Sequence, residues 1–215
     1  ICSSDGALLS TSLSRTGNPS LSSLRGLEVH EEEVGTGGLQ ATGNYPGAAR
    51  TGDEIRQDFE KAASLIPGKL RFNLHAMYAE TGGKKVDRDE LGPEHFKTWV
   101  DWCAAHGWGM DFNPTCFAHP LADDGLTLSH PKKSVRDFWI RHCQACREIA
   151  RYIARRLGPC VCNIWIPDGR KDVTADRIGP RKRLIQSLDA VLEKKMRGVI
   201  DTVESKLFGI GLEDY

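Results

Sequence analysis

Glu204 and Lys206 are the residues whose types and spacing could do chemistry together. They follow the apolar run Gly198-Val199-Ile200, at the point where a predicted strand gives way to a loop. A carboxylate and an ammonium group at the carboxyl end of a strand are typical of active sites in parallel α/β folds. One carboxylate cannot hold a divalent ion, because such ions take several ligands. The pair therefore predicts either a site made of a few polar side chains or the first half of a larger enzyme, and we favour the second.

The elements that position this pair alternate between helix and strand. Apolar residues at helical spacing, with capping and stop signals, predict helices near 51–66, 93–107 and 180–198, and a long helix that begins between Ser129 and Ser134 and ends at Leu157. Alternating or continuous apolar runs predict strands at 70–75, 109–113, 160–166 and 199–203. The continuous run 160–166 predicts a strand buried on both faces. Strand followed by helix, repeated, predicts a right-handed parallel α/β sheet.

Polar side chains follow each predicted strand. They are His75, Asn113, the segment from Trp165 to Asp168, and finally Glu204 with Lys206. In a barrel these positions converge on one mouth. No glycine-rich phosphate turn follows an early strand, as a flavodoxin-like sheet would require. A closed barrel of eight units needs about 250 residues, so we predict a partial (β/α)8 TIM barrel, roughly its first half, with four to five βα units.

The first 37 residues differ in texture from the rest of the chain. They are rich in Ser, Gly, Thr and Leu, and carry the acidic group Glu31-Glu32-Glu33 without helical or strand periodicity. Such a segment predicts loop or disorder. We therefore predict a leader at 1–37 and a partial barrel domain at 38–215.

Composition excludes several classes of function. The chain has 29 basic and 29 acidic residues, so charge offers no case for nucleic acid or anionic membranes. No apolar stretch approaches the roughly 20 residues that cross a bilayer. Seven cysteines, most within apolar helix or strand patterns, predict packing in a reducing, cytoplasmic compartment. Cys143-x-x-Cys146 with Cys160 and Cys162 suits zinc poorly, because the first pair lies in mid-helix.

Five blocks of sequence, in order, resemble those of L-rhamnose isomerases. The five blocks are residues 37–47, 73–76, 111–114, 163–169 and 203–211. The fourth block contains Trp165 and Asp168, and the fifth contains Glu204 and Lys206. The resemblance implies a barrel akin to xylose isomerases that interconverts L-rhamnose and L-rhamnulose. It also implies two divalent ions, typically manganese, and assembly as a homotetramer.

The resemblance assigns roles to four residues. Glu204 matches a metal ligand, and Lys206 a lysine near the sugar carbonyl. Trp165 matches a tryptophan that walls the sugar pocket, and His75 a histidine near the sugar ring oxygen. Residues 1–36 show no such likeness, and the family's other metal ligands have no counterpart in the chain. We therefore expect the isolated 215-residue chain neither to bind two ions tightly nor to turn over sugar.

Other interpretations remain open from the residues. Glu204 and Lys206 also fit a solvated surface pair, Trp165 a core residue, and His75 a hydrogen-bonded structural histidine. Weaker candidates for the site are Asn113, His119 and Asp168. Different functions are also open: another sugar isomerase or an epimerase of the xylose-isomerase-like kind, or a non-catalytic half-barrel that serves binding or assembly.

Overall fold

A computed structural model describes the backbone of residues 6–9 and the residues 49–169 and 175–205. The strands are β1 (Gly6–Leu9), β2 (Lys69–His75), β3 (Gly109–Asn113), β4 (Cys160–Ile166) and β5 (Val199–Ser205). The α-helices are α1 (Gly52–Ala63), α2 (Lys97–His106), α3 (Lys133–Leu157) and α4 (Gly179–Leu192). Short 3-10 turns lie at Ala76–Tyr78, Arg88–Glu90, Pro93–Phe96 and Pro120–Ala122.

The five strands form one sheet in the order β1-β2-β3-β4-β5, and every described pair is parallel. Sequential parallel strands joined by helices are the arrangement of an α/β barrel wall. The predicted α/β fold, a partial (β/α)8 TIM barrel, is thus confirmed for the described residues. Because parallel strands all end at the same edge, the loops after β2, β3 and β4 share one side of the molecule.

Local signals place most helix ends where the sequence predicts them. The hydroxyl of Thr51 accepts from the Glu54 amide, and the Glu54 carboxylate accepts from the Thr51 amide, so the capping box is present. At the end of α2, Gly107 takes the left-handed conformation with φ 68°, which favours glycine.

The end of α4 differs from prediction. We expected the helix to reach Gly198, but it stops at Leu192. The guanidinium of Arg147 on α3 donates to the carbonyl oxygens of Val191 and Lys194 at 2.5 and 2.7 Å. These tertiary hydrogen bonds satisfy carbonyls at the end of the helix, and no pattern within 180–198 announces them.

The sheet has two chemically different faces. Alternate residues such as Phe72, Leu74 and Ile164 are buried against α1 to α4. We call the opposite side the inner face; it carries partly buried or polar residues, among them Asn73 and Asn163. The prediction that 160–166 is buried on both faces is therefore wrong, because all four described helices pack on one side only.

Buried thiols belong to the packed side. Six cysteines in the described ranges are free and buried: Cys103, Cys116, Cys143, Cys146, Cys160 and Cys162. Burial raises the pKa of Cys103 to about 12, which keeps the thiol protonated and unreactive. No group of three or more His, Cys, Asp or Glu in these ranges could hold a metal ion. The predicted packing role is confirmed for these six cysteines, which are buried in the core.

One strand lies in the segment predicted to be loop or disorder. Gly6–Leu9 pairs in parallel with Lys69–Phe72 on β2. The prediction for 1–37 is wrong over these four residues, since a strand this short shows no periodicity and is recognisable only from its partner.

Among the described helices, none is both long and apolar enough to cross a bilayer.

Candidate active site

Glu204 on β5 and Trp165 on β4 form the centre of the candidate site. They are direct partners in parallel register, so both side chains project from the same face of the sheet. That face is the inner one, close to the carboxyl ends of the strands. Glu204 is exposed and Trp165 is partly buried. The structure thus brings together a carboxylate and an indole ring that are far apart in sequence.

Asn163 orients the Glu204 carboxylate. Its Nδ2 donates to Glu204 Oε2 at 2.7 Å. The hydroxyl of Thr202 donates to Asn163 Oδ1 at 2.8 Å. Because the amide presents its oxygen and its NH2 group in different directions, the Thr202 contact turns the NH2 group toward Glu204. The carboxylate is therefore held by neighbours on both β4 and β5.

Phe117 links the two predicted aromatic residues of the site. It lies in the loop after β3, and its ring centroid is 5.6 Å from Trp165 and 5.7 Å from His75. Both contacts are edge-to-face, the arrangement that aromatic quadrupoles favour. We call His75, Phe117 and Trp165 the aromatic row. The ends of three neighbouring strands thus build one apolar wall, which suits the C–H face of a sugar.

His75 is uncharged at neutral pH. Burial lowers its pKa to about 4, and the positive charge of Arg88 acts in the same direction. Its buried Nδ1 makes no hydrogen bond with the described residues. A neutral imidazole with a free ring nitrogen can donate or accept one hydrogen bond.

A cleft of about 530 Å³ lies on the inner face beside Glu204. Its lining includes Asn73, Asp111 and Asn163. Arg71 holds Asp111 in a two-pronged ion pair, with nitrogen–oxygen distances of 2.6 and 2.8 Å. Asp111 also accepts from the amide of Val161 on β4 at 2.8 Å. Since that carboxylate is fully engaged, its role is to join β2, β3 and β4 rather than to bind a ligand.

The weaker candidates have structural contacts. Asn113 donates to Asn73 Oδ1 at 2.5 Å on the inner face. His119 pairs with Asp87 at 3.0 Å and stacks on Phe138. Asp168 is completely buried and accepts from the amides of Thr127 and Ser129 at 2.8 Å. None of these contacts places His119 or Asp168 beside Glu204.

Lys206 lies outside the described residues, so its predicted place near the sugar carbonyl stays a prediction. The metal prediction rests on Glu204. No second or third carboxylate, histidine or cysteine of the described ranges joins it in a group that could hold an ion. These residues alone therefore do not form a complete divalent-metal site.

A second groove, of about 590 Å³, lies at the opposite end of the sheet. It is lined by basic residues that include Arg151, Arg155 and Lys194, next to Gly198 before β5. None of the residues predicted for the site lines this groove. Its volume exceeds that of the cleft beside Glu204. The cleft is nevertheless the candidate site, because Glu204 lines it and Trp165 is the direct strand partner of Glu204.

Sequence reasoning missed Phe117, Thr202 and the orienting role of Asn163. The sequence does carry a signal for Asn163. It lies two residues before Trp165 in the same predicted strand, so both side chains face the same side of the sheet. Phe117 lies four residues beyond β3 in an irregular loop, where no periodicity tells which way a side chain points.

Comparisons with known proteins give a consistent result. A family model described as L-rhamnose isomerase matches residues 21–215, and so includes part of the segment in which the sequence analysis found no likeness. The L-rhamnose isomerase of Shigella flexneri serotype 5b is 57% identical over 183 residues, covering 84% of this chain and 43% of that protein. The Salmonella gallinarum protein of the same name is 57% identical over 193 residues, covering 88% and 46%. That of Citrobacter koseri is 56% identical over 183 residues, covering 84% and 43%. The chain thus spans less than half the length of these relatives.

Proposed function

The chain belongs to the L-rhamnose isomerase family, and we propose that the protein built on this sequence interconverts L-rhamnose and L-rhamnulose. In that reaction hydrogen moves between C1 and C2 of the open-chain sugar. The observation that carries the proposal is the pairing of Glu204 with Trp165 at the mouth of the parallel sheet, with Phe117 and His75 completing the wall. A carboxylate beside an aromatic surface suits a ligand with one polar and one apolar side.

Each proposed role follows from contacts of the described residues. Trp165 and Phe117 provide a surface for the apolar face of the sugar and for its methyl group. His75 stays neutral, so its ring adds an uncharged surface beside Phe117. The contact with Asn163 at 2.7 Å holds Glu204 in one orientation. Lys206 is proposed to lie near the sugar carbonyl.

The remaining proposals rest on the resemblance. Glu204 contributes one carboxylate to a divalent-metal site, for which manganese is the proposed ion. Such an ion supplies polarisation of the sugar oxygens when bound. A homotetramer in the cytoplasm is the proposed form of the protein, and the free buried cysteines agree with a reducing compartment.

A test uses the full-length protein that contains this sequence, supplied with Mn²⁺ and assayed for ketose formed from L-rhamnose. Glu204→Gln preserves shape but removes the charge, and should lower kcat/KM by about 10²-fold. The matched control is Glu193→Gln, an exposed glutamate at the end of α4, which should leave the rate unchanged. Trp165→Ala should raise KM about fivefold, since a lost ring contact of about 1 kcal/mol corresponds to that factor when 1.4 kcal/mol is tenfold.

The proposal fails if the unmodified protein forms no L-rhamnulose. Preferential turnover of another aldose, or epimerisation without ketose, would instead support the other sugar isomerase or the epimerase considered above.

A further inference from the structure

Behind the aromatic row, a buried histidine joins two of the loops at the mouth. His142 on α3 has no exposed surface. Its Nε2 accepts from the amide of Thr115 at 3.0 Å, and its Nδ1 lies 2.8 Å from the carbonyl oxygen of Arg88. Because Nε2 accepts a hydrogen bond, the ring proton is on Nδ1 and is donated to Arg88. One uncharged ring therefore ties the loop after β3 to the loop after β2.

Thr115 extends this connection toward the aromatic row. Its hydroxyl oxygen accepts from the amide of Met77 at 3.0 Å, and its side chain is completely buried. Met77 lies two residues after His75, and Thr115 two residues before Phe117. The backbone segments that carry both rings are therefore held together through a single threonine.

We infer that Thr115 and His142 are positioning residues for the sugar pocket, which set the separation between His75 and Phe117. The inference rests on the proposed function. Both residues are completely buried, so they act through the rings that they place. A displacement of about 1 Å at a binding wall can cost as much as 10²-fold in activity.

The charge state of His142 supports the arrangement. Burial lowers its pKa to about 3, so the ring stays neutral at any pH at which the sugar is turned over. A protonated ring would direct an N–H group at the Thr115 amide and break the contact. The connection is therefore constant under working conditions rather than a pH switch.

The first test compares two threonine variants of the full-length protein that contains this sequence. Thr115→Val keeps the shape but removes the oxygen that Met77 needs, and should raise KM for L-rhamnose by about five- to tenfold, as for one lost hydrogen bond. Its kcat should change less than threefold. Thr115→Ser retains the oxygen and should restore KM to within about twofold of the unmodified value.

The second test uses the geometry of the imidazole. In His142→Gln the amide oxygen reaches the position of Nε2 and still accepts from Thr115, whereas in His142→Asn the amide reaches only the position of Nδ1 and contacts Arg88. KM should therefore rise in the Asn variant and less in the Gln variant. Ile153→Val, a buried change elsewhere on α3, should lower the melting temperature without altering KM.

The outcomes separate the two proposals. If the unmodified protein converts L-rhamnose but Thr115→Val has an unchanged KM, the positioning role is overturned and the proposed function stands. Equal KM values for the Gln and Asn variants, or a raised KM in Ile153→Val, would also overturn it. Absence of L-rhamnose turnover by the unmodified protein would overturn both. If a histidine variant does not fold, the threonine pair still decides.

Discussion

We expect Asp168→Ala to lower the free energy of unfolding more than Asp168→Asn does. The Asp168 carboxylate is completely buried and accepts four hydrogen bonds. The amides of Thr127 and Ser129 each donate to Oδ2 at 2.8 Å, and the Ser129 hydroxyl donates to the same oxygen at 2.6 Å. The Thr127 hydroxyl donates to Oδ1. These contacts connect the loop after β4 to the long loop after β3.

The magnitudes follow from the donors left without a partner. Asp168→Ala leaves two buried amides without an acceptor, at about 1–3 kcal/mol each, and two hydroxyls that must find other partners. We expect a loss of about 3–5 kcal/mol in the free energy of unfolding. In Asp168→Asn the amide oxygen can take the place of Oδ2, while its NH2 group faces the Thr127 hydroxyl, which rotates to accept. The expected loss is then about 1–2 kcal/mol.

Urea unfolding, followed by tryptophan fluorescence and circular dichroism, measures both losses against the unmodified protein. Thr127→Val removes only the hydroxyl contact and serves as the control, with an expected loss of about 1 kcal/mol. The reasoning is refuted if the Ala variant loses less than about 1 kcal/mol, or if the Asn variant loses as much as the Ala variant.

Three further predictions concern stability and activity. Arg147 contacts Asp201 through two nitrogen–oxygen pairs at 2.8 Å. Arg147→Met leaves the Asp201 carboxylate without this partner and should lower the free energy of unfolding by about 3–5 kcal/mol in the same urea assay. Arg147→Lys should recover only part of that loss, since an ammonium group lacks the planar fork of a guanidinium. Burial lowers the pKa of His75 to about 4 and that of His142 to about 3. As the pH falls below 6.5, the unfolded chain therefore binds protons at these two histidines before the folded protein does. The free energy of unfolding should fall by about 1.4 kcal/mol per histidine for each pH unit below 6.5, until the pH reaches the folded pKa. The 215-residue polypeptide alone, given L-rhamnose and Mn²⁺, should form no ketose, because the resemblance assigns it one metal ligand, Glu204, and one carboxylate does not hold a divalent ion.

Each of these predictions has a result that contradicts it. For the arginine, it is a lysine variant as stable as the unmodified protein. For the histidines, it is a free energy of unfolding that is equal at pH 7 and pH 5, or a His142→Gln variant with the same slope as the unmodified protein. For the isolated polypeptide, it is L-rhamnulose detected above the level of a metal-only control.

Local sequence patterns predicted most of the fold because they act over one or two turns of chain. The capping box at Thr51 and the left-handed turn at Gly107 are built from neighbours in sequence. Alternation along 69–75 places His75 on one face and Leu74 on the other for purely geometric reasons. The end of α4 was missed because its cause is Arg147, whose guanidinium comes from another helix.

The site divides in the same way. Residue type and strand position single out Glu204, Trp165 and His75 as candidates from the sequence, and the resemblance adds their roles. That Phe117 bridges two of these, and that Asn163 orients the third, was decided only by tertiary structure. Contacts of this kind join residues from different strands and loops, and their geometry depends on how the sheet is paired and how the loops pack against α3. A one-dimensional pattern records the spacing along the chain, but it does not record the distance between side chains that the fold brings together.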